Sequence, residues 1–407
     1  MFCSKCGREI PERSKFCSYC GAELASEAKE LIPKGHGWSK TIIIPLIVIV
    51  GILLCAFAFF KLIKPAVSSK GQKEELATLI PYRAGDKWGY CDWNKKLVIK
   101  PTYEIADCFR EDLARVLLNK KWGFIDRKGR MVIEPIYDDA YGFTEGLAAV
   151  VLNDKSGFID KKGRMVIKPV YDGTYGYTEG LAAVELNDKW GYIDKKGRIV
   201  IEPIYDGTIE FTEGLAAVEL NDKWGYIDKK GRMVIEPVYD GTYGFNEGLA
   251  AVRLNNKWGF IDTKGRMVIE PICDFAIDFR EGLAAVALNY KFGYIDKKGE
   301  IAIEPVYDWT LDFTEGLGRV GLNDKWGFID RKGRMVIEPI YDDVSGFTEG
   351  LAAVELNDKW GYIDKKGRMV IEPIYDTARG FNEGLAVVEL NGKLGYIDKK
   401  GTQYWED

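Results

Sequence analysis

The sequence predicts an all-β tandem repeat array, set behind a small cysteine-rich head and one apolar segment. Three observations predict it. A phase that is usually Trp falls at residue 88 and returns at 122, 156, 190, 224, 258, 292, 326, 360 and 394, always 34 residues on and always followed by Gly. The runs around it are rich in Trp, Tyr, Ile and Val, punctuated by Asp, Asn and Gly, with no helical period of useful length. No insertion interrupts the ten copies, so each is one unit too short to bury its apolar face except by stacking on its neighbours.

The chain divides in order into a head (1–23), a linker (24–40), an apolar segment (41–63), a second linker (64–75) and the array (76–407). In the head, Cys3, Cys6, Cys17 and Cys20 form two Cys-x-x-Cys pairs, each followed by Gly. Four thiolates in two tight pairs suit one tetrahedral Zn²⁺, a structural ion with no open position, in preference to two disulfides or a redox pair. The ten residues between the pairs are fewer than a ribbon usually has.

Residues 41–63 read TIIIPLIVIVGILLCAFAFFKLI, without a charge before Lys61. At ~1.5 Å per residue this reaches ~34 Å, enough for a hydrocarbon core of ~30 Å, and predicts a single transmembrane helix. A secretory signal is the rival reading, but such signals begin near residue 1 and a metal-binding module precedes this segment. Flanking lysines on both sides leave the orientation to redox chemistry. A four-thiolate site persists where thiols stay reduced, so the head is expected in the cytoplasm and the array outside the cell.

One copy can be written NDK-WGYID-KKGR-MVIEP-IYD, four variable residues, then FTEG-LAAVEL. Asp364 to Gly367 predict a hairpin turn, with Asp accepting turn hydrogen bonds and Gly taking positive φ. Pro373 lacks an N–H and is expected to end the next strand. Leu351–Leu356, apolar on both faces, reads as a strand covered on both sides. Each copy therefore predicts about three antiparallel strands. The recurrent Trp reads as core packing, with a ligand-binding aromatic stripe as the alternative. The first copy, with Pro81 and Lys95, and the last, ending Tyr404-Trp405-Glu406-Asp407, differ from the rest and read as caps. Ten copies exceed the usual blade count of one closed propeller. An open, superhelical array is expected over one or two propellers.

These residues resemble the bacterial WG-repeat, or KWG-repeat, family, carried by WGYID, KKG, VIEPIYD and F-EGLAAV over residues 76–407. The pairs CSKCG and CSYCG look like the short zinc-ribbon module often placed ahead of a membrane segment in such proteins. The resemblance implies an all-β array and a binding role, and no established reaction.

Charge and motifs exclude several functions. Residues 1–80 hold eleven basic against seven acidic residues, and residues 81–407 hold 46 against 55, so the array is acidic and a poor match for nucleic acid. Asp194, Glu202, Asp206 and Glu213 recur in most copies at turns or strand ends, which suits backbone hydrogen bonding better than catalysis. No calcium loop, phosphate-cradling loop or nucleophile elbow occurs. Specificity is expected in the four residues after Tyr-Asp, where copies differ most. Tyr175, Tyr243, Phe275 and Trp309 are the candidate binding aromatics, against the alternative of neutral variation in a solvent loop. The expected function is a membrane-anchored, non-enzymatic repeat protein whose outer array binds a protein or envelope polymer. The alternative is a transmembrane regulator that relays ligand binding to a cytoplasmic partner of the zinc head.

Overall fold

The computed structural model describes residues 79–407. The four head cysteines and the segment at 41–63 lie outside the described residues. Among the described residues no helix is long and apolar enough to cross a membrane.

Each copy becomes one antiparallel sheet, or blade. In the copy around Trp360 the strands are Asp343–Val344, Leu351–Leu356, Lys359–Asp364 and Met369–Tyr375, paired in that order. The predicted turn is present, for Gly367 has φ of 76° and Lys366 and Arg368 each donate a backbone N–H to Asp364 Oδ1. The third and fourth strands do not run in simple register. Trp360 pairs with Tyr375 and Tyr362 with Ile371, so two steps on one strand match four on the other, and Pro373 lies in the resulting bulge. Pro373 therefore sits inside the strand and does not end it. The Trp-Gly signature follows from this bulge. A Cβ on Gly361 would lie 2.5 Å from the Ile371 carbonyl oxygen and 2.7 Å from the Pro373 nitrogen. The expected three strands become four because Asp343–Val344 pairs with Glu355 and Val354, a ladder of two residues hidden in the variable stretch.

Neighbouring blades share their cores. One cluster joins Leu351, Ala353, Tyr362, Ile371 and Tyr375 of one copy to Phe381, Ala386, Val388 and Ile397 of the next. Tyr362 packs against Phe381 with ring centroids 4.9 Å apart and donates its hydroxyl to the Arg379 carbonyl at 2.8 Å. A second set of contacts explains FTEG and KKG together. Glu349 accepts the Gly384 N–H of the next copy at 3.0 Å and pairs with Lys399 at 2.8 Å. The same Glu-to-Lys pair recurs at Glu145–Lys195, Glu179–Lys229, Glu247–Lys297 and Glu315–Lys365.

The array closes. The ten sheets are numbered here as blades 1 to 10 along the chain. Trp405–Glu406 leaves blade 10 and joins blade 1 as its fourth strand, parallel to Ile80–Ala84, through Arg83↔Trp405 and Ala84↔Glu406. Arg83, only 4% exposed, donates to the Leu394 carbonyl at 2.8 Å and reaches Asp407 Oδ1 at 2.9 Å, while the Tyr82 hydroxyl donates to Glu406 at 2.6 Å. Residues 79–407 thus form a ten-bladed β-propeller, the closed alternative, which corrects the preference for an open array. The physical reason lies in the two odd copies. The first takes its missing edge strand from the end of the last, so their departures from the pattern are complementary halves of one joint and not caps.

The recurrent Trp is also less buried than expected. Trp122, Trp190, Trp224, Trp258, Trp326 and Trp360 are half-buried, and Trp88 with its equivalents Ser156 and Phe292 are the buried members of the phase. The reason is register: Trp360 faces Glu355, just beyond the four buried residues of the second strand.

Candidate binding surface

One cross-strand ladder recurs on every ordinary blade, and two of its chemical solutions contrast sharply. It runs from the first residue of the variable stretch, through the fifth residue of the second strand, to the recurrent Trp. In blade 5 the ladder is Gly207, Glu219, Trp224. A Cβ on Gly207 would lie 2.9 Å from Glu219 Oε2, so the carboxylate takes the space a side chain would need. In blades 7 and 8 the roles reverse, giving Phe275, Ala287, Phe292 and Trp309, Gly321, Trp326. A Cβ on Gly321 would lie 3.3 Å from the Trp309 Cβ. Blade 6 has Arg253 in place of the Glu.

The consequence is a run of five rings in contact over three successive blades. Centroids are 5.2 Å apart for Tyr243–Trp258, 6.4 Å for Trp258–Phe275, 5.9 Å for Phe275–Phe292 and 5.3 Å for Phe292–Trp309. Trp309 is 58% and Phe275 37% exposed. Tyr290, at 87% exposure, projects from the turn of blade 7, where its N–H donates to the Asp274 carboxylate that also holds Lys257.

Of the four predicted aromatics, the structure brings Tyr243, Phe275 and Trp309 together. Tyr175 stands apart in blade 4, stacked on Trp190 at 4.9 Å and 11°. Sequence reasoning missed Trp258, Phe292 and Tyr290 as members. The signal for Tyr290 was available, because it replaces the Asp of an Asn-Asp turn with an aromatic that turn geometry does not require.

A smaller cavity of about 290 Å³ opens beside the run, lined by Tyr243, Ile277, Asp278, Arg280 and Asp312. Arg280 reaches Asp312 at 3.1 Å, and Arg319 also pairs with Asp312. Asp278 has a buried Oδ1 without a hydrogen-bond partner. Burial pushes its carboxyl up to about 6, against the Ala251 amide and the Arg280 charge.

Three of the four acids weighed for catalysis, Asp194, Asp206 and Glu213, have structural work, and Glu202 is an exposed strand residue. Burial acts to raise the Asp194 carboxyl, but the Arg198 side chain and two turn amides outweigh it and hold the group below its usual range. Glu213 accepts the Gly248 N–H at 2.9 Å, and Asp206 holds Lys189 and the Asn221 amide. Among the described residues no group of three His, Cys, Asp or Glu side chains could hold a metal ion.

A family profile described as WG containing repeat matches nine consecutive stretches, from 88–122 to 360–393. The chain belongs to the WG-repeat family. A second profile, described as a zinc-ribbon domain, matches residues 2–24 of this WG-repeat protein and includes the four head cysteines. No curated protein matches the chain. Similar solved structures include a eukaryotic initiation factor, with a TM-score of 0.48 at 10% identity over 80% of this chain and 94% of that one. BamB from Moraxella catarrhalis gives 0.37 at 11% identity over 74% and 95% of the respective chains. Hsv2 from Kluyveromyces lactis gives 0.32 at 11% identity over 62% and 94%.

Proposed function

We propose that this WG-repeat protein is a membrane-anchored, non-enzymatic binding platform that holds a protein segment or envelope polymer on the aromatic run of blades 6–8. The carrying observation is the unbroken contact of five rings across blades 6 to 8, where the ladder position holds Arg253, Ala287 and Gly321. Aromatic surface exposed over several repeats is expensive to keep in water and is the usual mark of a recognition patch. The ring supports it rigidly, since Trp258, Phe275, Phe292 and Trp309 stand on strands and the Tyr243 N–H is held by the Ala251 carbonyl at 3.2 Å.

The anchor is the apolar segment 41–63, and the zinc ribbon holds one structural ion through Cys3, Cys6, Cys17 and Cys20. The head lies in the cytoplasm and the array outside, on the redox argument. Bound zinc would fix the fold of the head and supply no reaction.

The test is photocrosslinking in intact cells from a benzoylphenylalanine placed at Tyr290, with the same probe at Asp188 of blade 4 as control. The expected result is a discrete adduct from Tyr290 alone that disappears when Phe275→Ser and Trp309→Ser are combined. Equal adducts from both positions, or persistence after the double change, would reject the surface. Protease shaving of the same cells removes the array if it is outside and spares it if the topology is reversed.

A further inference from the structure

The joint that closes the ring leaves a cavity among the described residues. Elsewhere the loop between the first two strands of one blade packs on its counterpart in the next. Thr348 lies 2.8 Å from a Cβ placed on Gly380, and Glu349 accepts the Gly384 N–H. Blade 1 contributes no such loop among the described residues, because its edge strand is Trp405–Glu406, arriving in parallel from the chain end. The loops of blades 10 and 2 therefore face each other across a cavity of about 490 Å³, into which blade 3 also reaches. That volume falls within the range of small-molecule sites, which is roughly 300–1,000 Å³.

Phe109, Leu113, Leu385 and Tyr396 supply an apolar lining. Asp107 is taken by Arg115 at 2.7 Å. Arg110 and Arg379 line the same cavity, and neither has a carboxylate within salt-bridge reach among the described residues. Glu383 is also without an ion pair among the described residues, since Trp93 stands where most other blades have a Lys or Arg and packs against Gly384. Among the described residues, two guanidinium groups without an ion pair thus oppose one such carboxylate. Burial keeps the Cys108 thiol protonated, with its pKa pushed up to about 11, so it adds no negative charge.

We infer that this cavity is a binding site for a small molecule with a ring-sized apolar body and one anionic group, a carboxylate or phosphate held by Arg110 and Arg379. Guanidinium forks match such anions in geometry as well as charge. The ligand would bridge blades 10 and 2 across the joint and so stabilise closure by mass action.

Calorimetric titration of the full chain with 1-naphthoate and with neutral 1-naphthalenemethanol tests the site. One naphthoate per chain is expected. Combining Arg110→Gln with Arg379→Gln should weaken it about tenfold, or about 1.4 kcal/mol, to the affinity of the alcohol, which the same change leaves unaltered. Cys108→Trp fills the cavity and should remove both ligands, whereas Arg280→Gln, at the aromatic run, should change neither. Absence of naphthoate binding at millimolar concentration, equal affinity for acid and alcohol, or an unaltered double variant would each overturn the inference.

Discussion

The interface between blades 9 and 10 and the joint between blades 10 and 1 solve the same packing problem with different chemistry. The ordinary interface is short-range in sequence: Tyr362 meets Phe381, and Glu349 meets Gly384 and Lys399. The joint draws on residues more than three hundred apart, with Arg83 on Asp407, Tyr82 on Glu406 and Trp88 edge-on to Tyr396 at 5.9 Å. Where repetition can supply a contact, the protein reuses one set of residues. Where it cannot, single residues of the two odd copies take over. Closure therefore rests on few side chains, each without a substitute elsewhere in the ring.

Removing Trp405 to Asp407 is the hardest test of that contrast. It should cost about 3–5 kcal/mol, the range for losing a large buried side chain, and hydrogen exchange should show Ile80–Ala84 unprotected while blades 4–8 keep their protection. An equal loss of protection throughout would show that the joint is not a separate weak point.

Gly361→Ala strikes an ordinary blade instead. The new methyl would press on the Ile371 carbonyl, and about 2–3 kcal/mol of destabilisation is expected in urea unfolding, with exchange rising in blade 9 and not at the joint.

Asp278→Asn probes a departure from the pattern inside the ring. The folded-state carboxyl titrates at about 6, above its usual value of 3.8, so its charged form is penalised in the fold. The folded state binds more protons than the unfolded between those values. Stability is therefore lost as pH rises through that window and not regained above it. The variant should be more stable than the parent by about 1–3 kcal/mol at about pH 7, and the difference should vanish at about pH 4.

The smallest effect belongs to the contact the joint lacks. Lys399→Met should cost below about 1 kcal/mol, and less at high salt, which thermal unfolding at two ionic strengths would show.

Much of the fold was legible because it is local. The Asp364 turn, the Gly367 conformation and the doubly covered Leu351–Leu356 strand each follow from a few adjacent residues. Closure was not legible, because a parallel pair of two residues, Arg83–Ala84 with Trp405–Glu406, leaves no periodic trace. The candidate surface was half legible. Phe275 and Trp309 stood out as off-pattern residues, but their contact through Phe292 depends on the register that sets Phe275 and Phe292 on one ladder of blade 7 and on the packing of Trp309 from blade 8 beside it.

The parallel strand also sets an order of events during synthesis. Blades 2 to 9 can each complete their sheets as the chain emerges, since all their strands lie within one copy. Blade 1, made first, must wait with an open edge until Trp405 and Glu406 have left the ribosome, and that edge is exposed for nearly the whole of translation. The earliest part of the ring is thus the last to be finished.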